Sequence, residues 1–169
     1  ASQWAKSIGA KMIGTVSTDE KASLAKQNGC EFTVNYKQND VHSSVLKLTN
    51  NEGVNVVYDG VGKDTFDISL KCLKFRGLMV SFGQSSGMVN DVNLHSTFNP
   101  KSLYYTRPTL MHYIRNSEEL AESSNKLFLK IKNKEIKPNI FKKLKLSEAS
   151  EAHALIQSRN TVGSIILCP

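Results

Sequence analysis

The chain has 169 residues, of which 40% are hydrophobic and 22% are charged, and its formal net charge is +7. This composition predicts one globular domain of ordinary size and excludes collagen-like, mucin-like and disordered chains. No run approaches the roughly 18 consecutive apolar residues of a membrane span, and the first residues lack the pattern of a secretory signal, so we expect no membrane association.

Short apolar runs and helical patterns alternate in the first part of the chain. The runs are β-branched or aromatic and begin shortly after a glycine, as buried parallel strands do. The segments between them place apolar residues on one side at helical spacing. This alternation predicts an α/β fold with a doubly wound parallel sheet. The predicted strands are 12–16, 32–36, 54–58 and 78–82, and the predicted helices are 18–28, 40–50 and 63–74.

The later residues follow a different pattern. Residues 83–100 are rich in Gly, Ser and Asn, which predicts a loop over the carboxyl edge of the sheet, where such folds bind their ligands. The remaining predicted elements are a long amphipathic helix over 117–134, a strand at 136–146, a helix over 147–158 capped by Ser147, and a closing strand over 164–168. These last elements need not belong to the parallel sheet.

Lysines and cysteines restrict the class of partner and compartment. Between Lys126 and Lys145 there are eight lysines and one acid, so this segment alone carries +7. Lysines outnumber arginines 18 to 4, and arginine is the residue that grips phosphates in forked geometry, so a solvated lysine-rich face is favoured over an RNA site. The three cysteines are far apart and form no CxxC pair. They indicate a reducing compartment, which we expect to be the cytoplasm.

The segment Ser17-Thr18-Asp19-Glu20-Lys21, directly after the first predicted strand, is a candidate anion site. Ser17 and Glu20 have the spacing of a capping box, and a helix start attracts anions through its free amides, with Lys21 adding a cation. Dinucleotide-binding folds usually place an acid here for the ribose 2′-hydroxyl, whereas Ser17 suits a 2′-phosphate and hence NADPH. A capped helix with a surface lysine explains the same residues, and both interpretations stay open.

Other chemical motifs are weak. Gly60-Val61-Gly62 begins a glycine fingerprint, but Thr65 stands where the third glycine belongs, and any tight turn between a strand and a helix favours glycine. We find no GxSxG and no HExxH, and the four histidines form no pair at helical spacing. Hydrolase and metal-dependent functions therefore lack support.

Six blocks along the chain carry a family resemblance. They are GAKMIGTVSTDEKASLAKQNG at 9–29, NY at 35–36, VVYDGVGKDTF at 56–66, RGLMVSFGQSSG at 76–87, SLYYTRPTL at 102–110 and SRNTVGSIILCP at 158–169. Together they resemble the zeta-crystallin-type, zinc-independent NADPH:quinone oxidoreductases of the medium-chain dehydrogenase/reductase superfamily. The resemblance implies a Rossmann-like domain beside a catalytic domain, and transfer of a hydride from NADPH to quinones or related electrophilic carbonyls.

The resemblance also implies a set of cofactor contacts, with no catalytic residue and no metal ligand in this chain. The nicotinamide itself does the chemistry, so the protein has only to hold the two reactants against each other. The implied contacts are Ser17, Thr18, Lys21 and Arg159 at the adenosine 2′-phosphate, Tyr36 beside the adenine, Val61 in the nucleotide crevice, and Phe82, Gly83, Gln84, Ser85, Pro108, Thr109 and Leu110 around the nicotinamide half.

Part of the implied fold is missing from the sequence. The glycine-rich phosphate loop and its strand should precede Ala1, and residues 1–9 read as the tail of the next helix. The lost strand is central in the usual order, so two strand edges should be unpaired. We expect a partial nucleotide-binding domain over 1–116, a segment at 117–169 that joins the catalytic domain, and a homodimer through 86–105. The alternatives are a non-catalytic nucleotide-binding or dimerisation module and a basic RNA-associated protein.

Overall fold

Strands and helices alternate through the first part of the computed structural model, which describes residues 1–158 and 161–169. All its paired strands run parallel, so the predicted α/β class is confirmed. The elements are α1 (Ser2–Ser7), β1 (Ile13–Val16), α2 (Asp19–Gln27), β2 (Phe32–Asn35), α3 (Val41–Leu48), β3 (Val54–Asp59), α4 (Phe66–Cys72), β4 (Leu73–Ser81), α5 (Leu94–Phe98) and β5 (Tyr104–Thr106).

These five strands form two sheets. β1 pairs with β2, and β3, β4 and β5 pair in that order. Among the described residues β1 and β3 are each paired on one side only, which is the break that the sequence predicts at the centre of the sheet. Because Val16 is in register with Asn35 and Asp59 with Ser81, neighbouring strands end level with each other and present their following loops together.

The hydrophobic core lies between α4 and its own sheet. Phe66 and Leu70 of α4 pack with Leu73 and Met79 of β4, and the last two are fully buried. In contrast, Val56 and Tyr58 on β3 are 37% and 66% exposed. The prediction that β3 is a buried strand is therefore wrong for these alternate positions, since nothing in the described part of the chain covers them.

Several boundaries differ from the predicted ones. The predicted loop over 83–100 contains helix α5, whose start is capped by Asn93 accepting from the Ser96 amide at 3.0 Å. β4 begins at Leu73 rather than at residue 78, because Leu73 already pairs with Val54, and the register then shifts so that Leu78 pairs with Val56. Strand β5 was not predicted, since three residues are too few to show a period.

The chain divides into two compact units, Ala1–Ser123 and Ser124–Pro169. The elements of the C-terminal part are α6 (Ser117–Lys132), which spans that boundary, β6 (Ile140–Lys145), α7 (Ala149–Gln157) and β7 (Ser164–Cys168). β6 and β7 pair in parallel. The predicted domain boundary between 116 and 117 stays a prediction.

Two details of the C-terminal elements bear on the sequence analysis. Ser147 does not cap α7 as predicted, because a 3-10 turn over Leu146–Glu148 precedes the helix and the Glu148 carboxylate accepts from the Lys145 amide at 2.6 Å. The lysines of β6 are exposed, as a solvated basic face requires. In the part of the chain that the structure describes, no helix is both long and apolar enough to cross a membrane.

Candidate functional site

Helix α2 starts directly after β1 and is capped by Thr18. The Thr18 hydroxyl oxygen accepts from the backbone amide of Lys21 at 3.3 Å. The predicted capping box of Ser17 with Glu20 is therefore wrong by one residue, because Ser17 still lies in the bend between strand and helix. The Glu20 pKa is lowered, first by its own backbone amide and then by the Thr18 hydroxyl, so a carboxylate already lies at this helix start.

The end of β2 lies beside that segment. The backbone amide of Tyr36 donates to the Val16 carbonyl at 3.0 Å, next to Ser17, and the Tyr36 side chain is 53% exposed. The buried side-chain amide of Asn35 donates to the Asp19 carboxylate at 3.0 Å. The predicted contacts Ser17, Thr18, Lys21 and Tyr36 therefore form one group at the carboxyl ends of β1 and β2.

A second group surrounds Asp59, the buried last residue of β3. One carboxylate oxygen, Oδ1, accepts from the backbone amides of Val61 at 2.8 Å and Gly62 at 3.0 Å. The other oxygen, Oδ2, accepts from the hydroxyls of Thr65 and Ser69, both at 2.7 Å. The incomplete glycine fingerprint is thus a turn folded around a buried carboxylate.

The loops that follow β3 and β4 are bonded to each other through their backbones. We name residues 60–65 the β3 loop and residues 82–87 the β4 loop. The Asp59 carbonyl accepts from the amides of Phe82 at 2.9 Å and Gly83 at 3.3 Å, while the Val61 carbonyl accepts from the amide and the hydroxyl of Ser86, both at 2.8 Å. The two loops therefore form one unit that carries Val61 and Phe82.

Glycines allow this close approach. A Cβ on Gly83 would lie 2.5 Å from the Gly60 carbonyl oxygen and 2.8 Å from its Cα, and a Cβ on Gly60 would lie 2.9 Å from the Phe82 ring. Gly62 has φ +91°, and a Cβ on Gly62 would lie 2.7 Å from the Gly87 carbonyl oxygen. Beside this stacked backbone, Val61 is 38% exposed and Phe82 is 57% exposed, which leaves an apolar surface suited to a flat ring.

Replacing Gly83 by Ala should destabilise the chain by about 1–3 kcal/mol, because the added methyl group meets backbone atoms that no rotamer change can move. Urea unfolding measures this loss. Ser85→Ala, at an exposed position of the same loop, is the matched control and should leave the free energy of unfolding within about 0.5 kcal/mol. Equal stability of the Gly83 variant and the wild type would show that the loops do not approach as described.

Arg107 connects the β4 loop to the residues after β5. Its guanidinium donates to the Ser81 carbonyl at 2.8 Å and to the Gln84 side-chain oxygen at 3.0 Å. Pro108, Thr109 and Leu110 follow it directly, and Leu110 is 66% exposed. The predicted contacts Val61, Phe82–Ser85 and Pro108–Leu110 therefore belong to one group at the carboxyl ends of β3, β4 and β5.

The Asp59 carboxylate makes stability depend on pH. Burial acts to raise its pKa, but the hydrogen bonds from Gly62, Ser69, Thr65 and Val61 outweigh burial and lower the pKa. A lowered folded pKa adds stability that is present above the unfolded pKa of about 3.9 and is lost as the pH falls through the folded value.

We expect the difference in unfolding free energy between the wild type and Asp59→Asn to be constant from about pH 7 to pH 5 and to shrink below about pH 3.9. Urea unfolding at a series of pH values measures it. Asp40 and Glu20, whose pKa values are also lowered, titrate alike in both proteins and cancel. A difference that does not change down to about pH 3 would mean that Asp59 is not stabilised as an anion.

One predicted contact, Arg159, lies outside the described residues. Among those that the structure does describe, no three His, Cys, Asp or Glu side chains lie close enough to hold a metal ion, so they do not fit a zinc site. Sequence reasoning missed Asn35, Asp59 and Arg107, whose bonding partners lie up to 26 residues away.

The chain is similar to known proteins along its whole length. The profile of the zinc-binding dehydrogenases matches residues 1–130. The chain is 47% identical to quinone oxidoreductase 1 of Escherichia coli (strain K12), over 100% of this chain and 52% of that protein. It is 41% identical to a 2-haloacrylate reductase of Burkholderia sp., over 98% of this chain and 50% of that protein.

A solved structure shows the same fold. The crystal structure of E. coli quinone oxidoreductase complexed with NADPH superimposes with a TM-score of 0.94 at 48% identity, and covers 100% of this chain and 52% of that one. The parallel sheets formed by β1 to β5 are therefore those of a Rossmann-type domain. The chain spans about half the length of the curated relatives that it matches.

Proposed function

The chain belongs to the zinc-binding dehydrogenase family, and we propose that it is the NADPH-binding part of an enzyme that transfers a hydride from NADPH to a quinone or a related electrophilic carbonyl compound. The observation that carries the proposal is the pair of bonded loops after β3 and β4, whose stacked glycines leave Val61 and Phe82 exposed beside bare backbone. In parallel sheets, ligands bind at this edge, across the point where the strand order reverses.

The two groups of residues divide the cofactor between them. Ser17, Thr18 and Lys21 hold the adenosine 2′-phosphate, with Tyr36 beside the adenine and Arg159 as a second cation. The β3 loop supports the middle of the cofactor through Val61. The β4 loop, from Phe82 to Ser85, and the segment from Pro108 to Leu110 flank the nicotinamide. A charge-assisted contact from Lys21 distinguishes NADPH from NADH, since only NADPH carries the 2′-phosphate.

The role of the chain's own residues is to bind the cofactor and to orient it toward the substrate. When bound, NADPH supplies a hydride. Phe82 and Leu110 shield the ring face from water, and Arg107 fixes Gln84 through the bond at 3.0 Å, so that the β4 loop keeps its shape. Catalysis of this kind depends on close positioning of the two reactants rather than on a proton donor. This agrees with the absence of a recognisable acid–base pair in the sequence.

The substrate class follows from the names of the relatives and from the apolar surface of the site. Quinones and 2-haloacrylates both contain a carbon–carbon double bond conjugated to a carbonyl or carboxyl group, and relatives named for both match nearly the whole chain. We infer that the remaining wall of the substrate pocket comes from a catalytic domain outside this chain.

A homodimer through residues 86–105 is part of the proposal. In the described residues β5 is paired with β4 alone, and Tyr104 on β5 is 62% exposed, which leaves an edge that a second copy could extend. We also propose a cytoplasmic location, because all three cysteines are free and two of them are buried.

A chimera tests the proposed function. The first half of E. coli quinone oxidoreductase 1 is joined to this chain, which replaces the matching half. We expect the chimera to reduce a quinone with NADPH and to prefer NADPH over NADH. NADPH binding without quinone reduction would favour a non-catalytic module, and salt-sensitive RNA binding without NADPH binding would favour an RNA-associated protein. A folded chimera that binds neither would overturn the assignment.

A further inference from the structure

Asp59 is a buried carboxylate to which the proposed function gives no role. It is 4% exposed and lies at the junction of the β3 and β4 loops. Its side chain accepts four hydrogen bonds, and its backbone carbonyl accepts from Phe82 and Gly83. Asp59 therefore accepts hydrogen bonds from residues of both loops.

The two carboxylate oxygens have different partners. Oδ2 accepts from hydroxyls just before and within α4, which can rotate to other acceptors, as Thr65 shows by a second contact with the Gly62 carbonyl at 3.4 Å. Oδ1 accepts from the amides of Val61 and Gly62, which point inward and have no freedom to rotate. Loss of Oδ1 would leave both backbone donors without this acceptor, the buried Gly62 amide and the part-buried Val61 amide, and the turn would have to change shape to solvate them.

We infer that Asp59 is a positioning residue for the cofactor: its carboxylate fixes the turn that carries Val61, its backbone carbonyl bonds that turn to Phe82, and the carboxylate so shapes the half of the crevice that faces the nicotinamide end. This inference rests on the proposed function. In the alternative, Asp59 serves stability alone, and its loss would weaken the binding of every ligand equally.

The adenosine end of the cofactor provides an internal reference. Ser17, Thr18, Lys21 and Tyr36 belong to the other sheet and have no bond to Asp59 among those described above. Adenosine 2′,5′-bisphosphate consists of the adenosine end alone, so its dissociation constant should not depend on Asp59. NADPH extends across both groups, so its dissociation constant should depend on Asp59.

The test measures the dissociation constants of NADPH and adenosine 2′,5′-bisphosphate for the chimera and for three variants. For Asp59→Ala we expect NADPH to bind about tenfold more weakly, because the lost bonds are to a charged acceptor, and the bisphosphate to bind within about twofold. Asp59→Asn is isosteric and tests the charge if the alanine variant does not fold. It should weaken NADPH binding by about threefold or more, because a charged acceptor is roughly twice as strong as a neutral one.

Asp40→Ala is the matched control. Asp40 also accepts from a backbone amide, that of Ser43 at 2.8 Å, but it caps α3 and lies outside both loops. Its loss should destabilise the protein and leave both dissociation constants unchanged. Amide hydrogen exchange on the 169-residue chain gives a second readout: protection of Val61 and Gly62 should fall in the Asp59 variants and persist in Asp40→Ala.

The outcomes separate this inference from the proposed function. If the unmodified chimera does not bind NADPH, the proposed function is wrong and the inference fails with it. If the chimera binds NADPH but the folded Asp59 variants bind both ligands as tightly as the wild type, only the inference is wrong. Equal weakening of both ligands would show that Asp59 stabilises the whole domain and positions nothing.

Discussion

The 169-residue chain by itself should reduce quinones with NADPH at least about 10⁴-fold more slowly than the chimera. Hydride transfer depends on near-contact of the two reactants, and effective molarities for such positioning reach about 10⁵ M or more. The chain spans about half the length of its relatives, and under the proposed function it supplies one side of the crevice. Oxidation of NADPH, followed by its absorbance with and without quinone, measures the difference.

The parent E. coli protein and a quinone blank are the controls for this comparison. The blank gives the uncatalysed rate, and the parent protein shows that the assay detects turnover. If the chain alone reached about one hundredth of the chimera's kcat/KM, the claim that the site is shared with another domain would be wrong.

Replacing Lys21 by Ala in the chimera should weaken NADPH binding by about tenfold to a hundredfold and NADH binding by no more than about threefold. A charge-assisted contact is worth roughly 1.5–3 kcal/mol, and of the two cofactors only NADPH carries the 2′-phosphate. The lower end of this range applies if the negative charges of Asp19 and Glu20, which repel the phosphate, offset part of the attraction from Lys21. The Asp19 carboxylate accepts from the Asn35 side-chain amide at 3.0 Å, and the pKa of Glu20 is lowered by its own backbone amide and by the Thr18 hydroxyl.

Lys26→Ala is the matched control, because Lys26 lies exposed in the last turn of the same helix. The Lys26 substitution removes the same charge as the Lys21 substitution without removing the proposed contact with the 2′-phosphate. Isothermal titration with each cofactor measures both variants. Equal losses for NADPH and NADH in the Lys21 variant, or an equal loss of NADPH binding in the Lys26 variant, would show that Lys21 is only a surface lysine on a capped helix.

The alternation of strands and helices was predictable because each element is long enough to show its period. β1, β2 and β3 begin within a residue of their predicted starts. Local polar chemistry was less predictable. Ser17 and Thr18 both suit a helix cap, and only the extended backbone of Thr18, with φ −147° and ψ 162°, decides between them.

The residues that organise the site were hidden from the sequence. In the segment Asp59-Gly60-Val61-Gly62 the glycines suggest a phosphate loop, whereas the structure makes Asp59 the organising residue. Its partners include Ser69, ten residues away, and the backbone of the β4 loop. Such contacts depend on which strands become neighbours, and a pattern of period two or 3.6 carries no information about that.

Exposure of Val56 and Tyr58 was unpredictable for a related reason. Both are apolar, β-type positions on β3, and hydrophobicity alone predicts burial. The sequence predicts the unpaired edge of β3, but whether Val56 and Tyr58 are covered depends on what packs on their face of the sheet, and no described residue covers them.

Hydrogen–deuterium exchange of the chimera with and without NADPH tests the central claim most directly, because it shows where on this chain the cofactor lies. The account predicts slower exchange on NADPH binding in three segments, residues 17–21, the β3 loop and the β4 loop, and unchanged exchange in the lysine-rich segment 126–145. Protection confined to residues 126–145, or bound NADPH that protects neither loop, would contradict it.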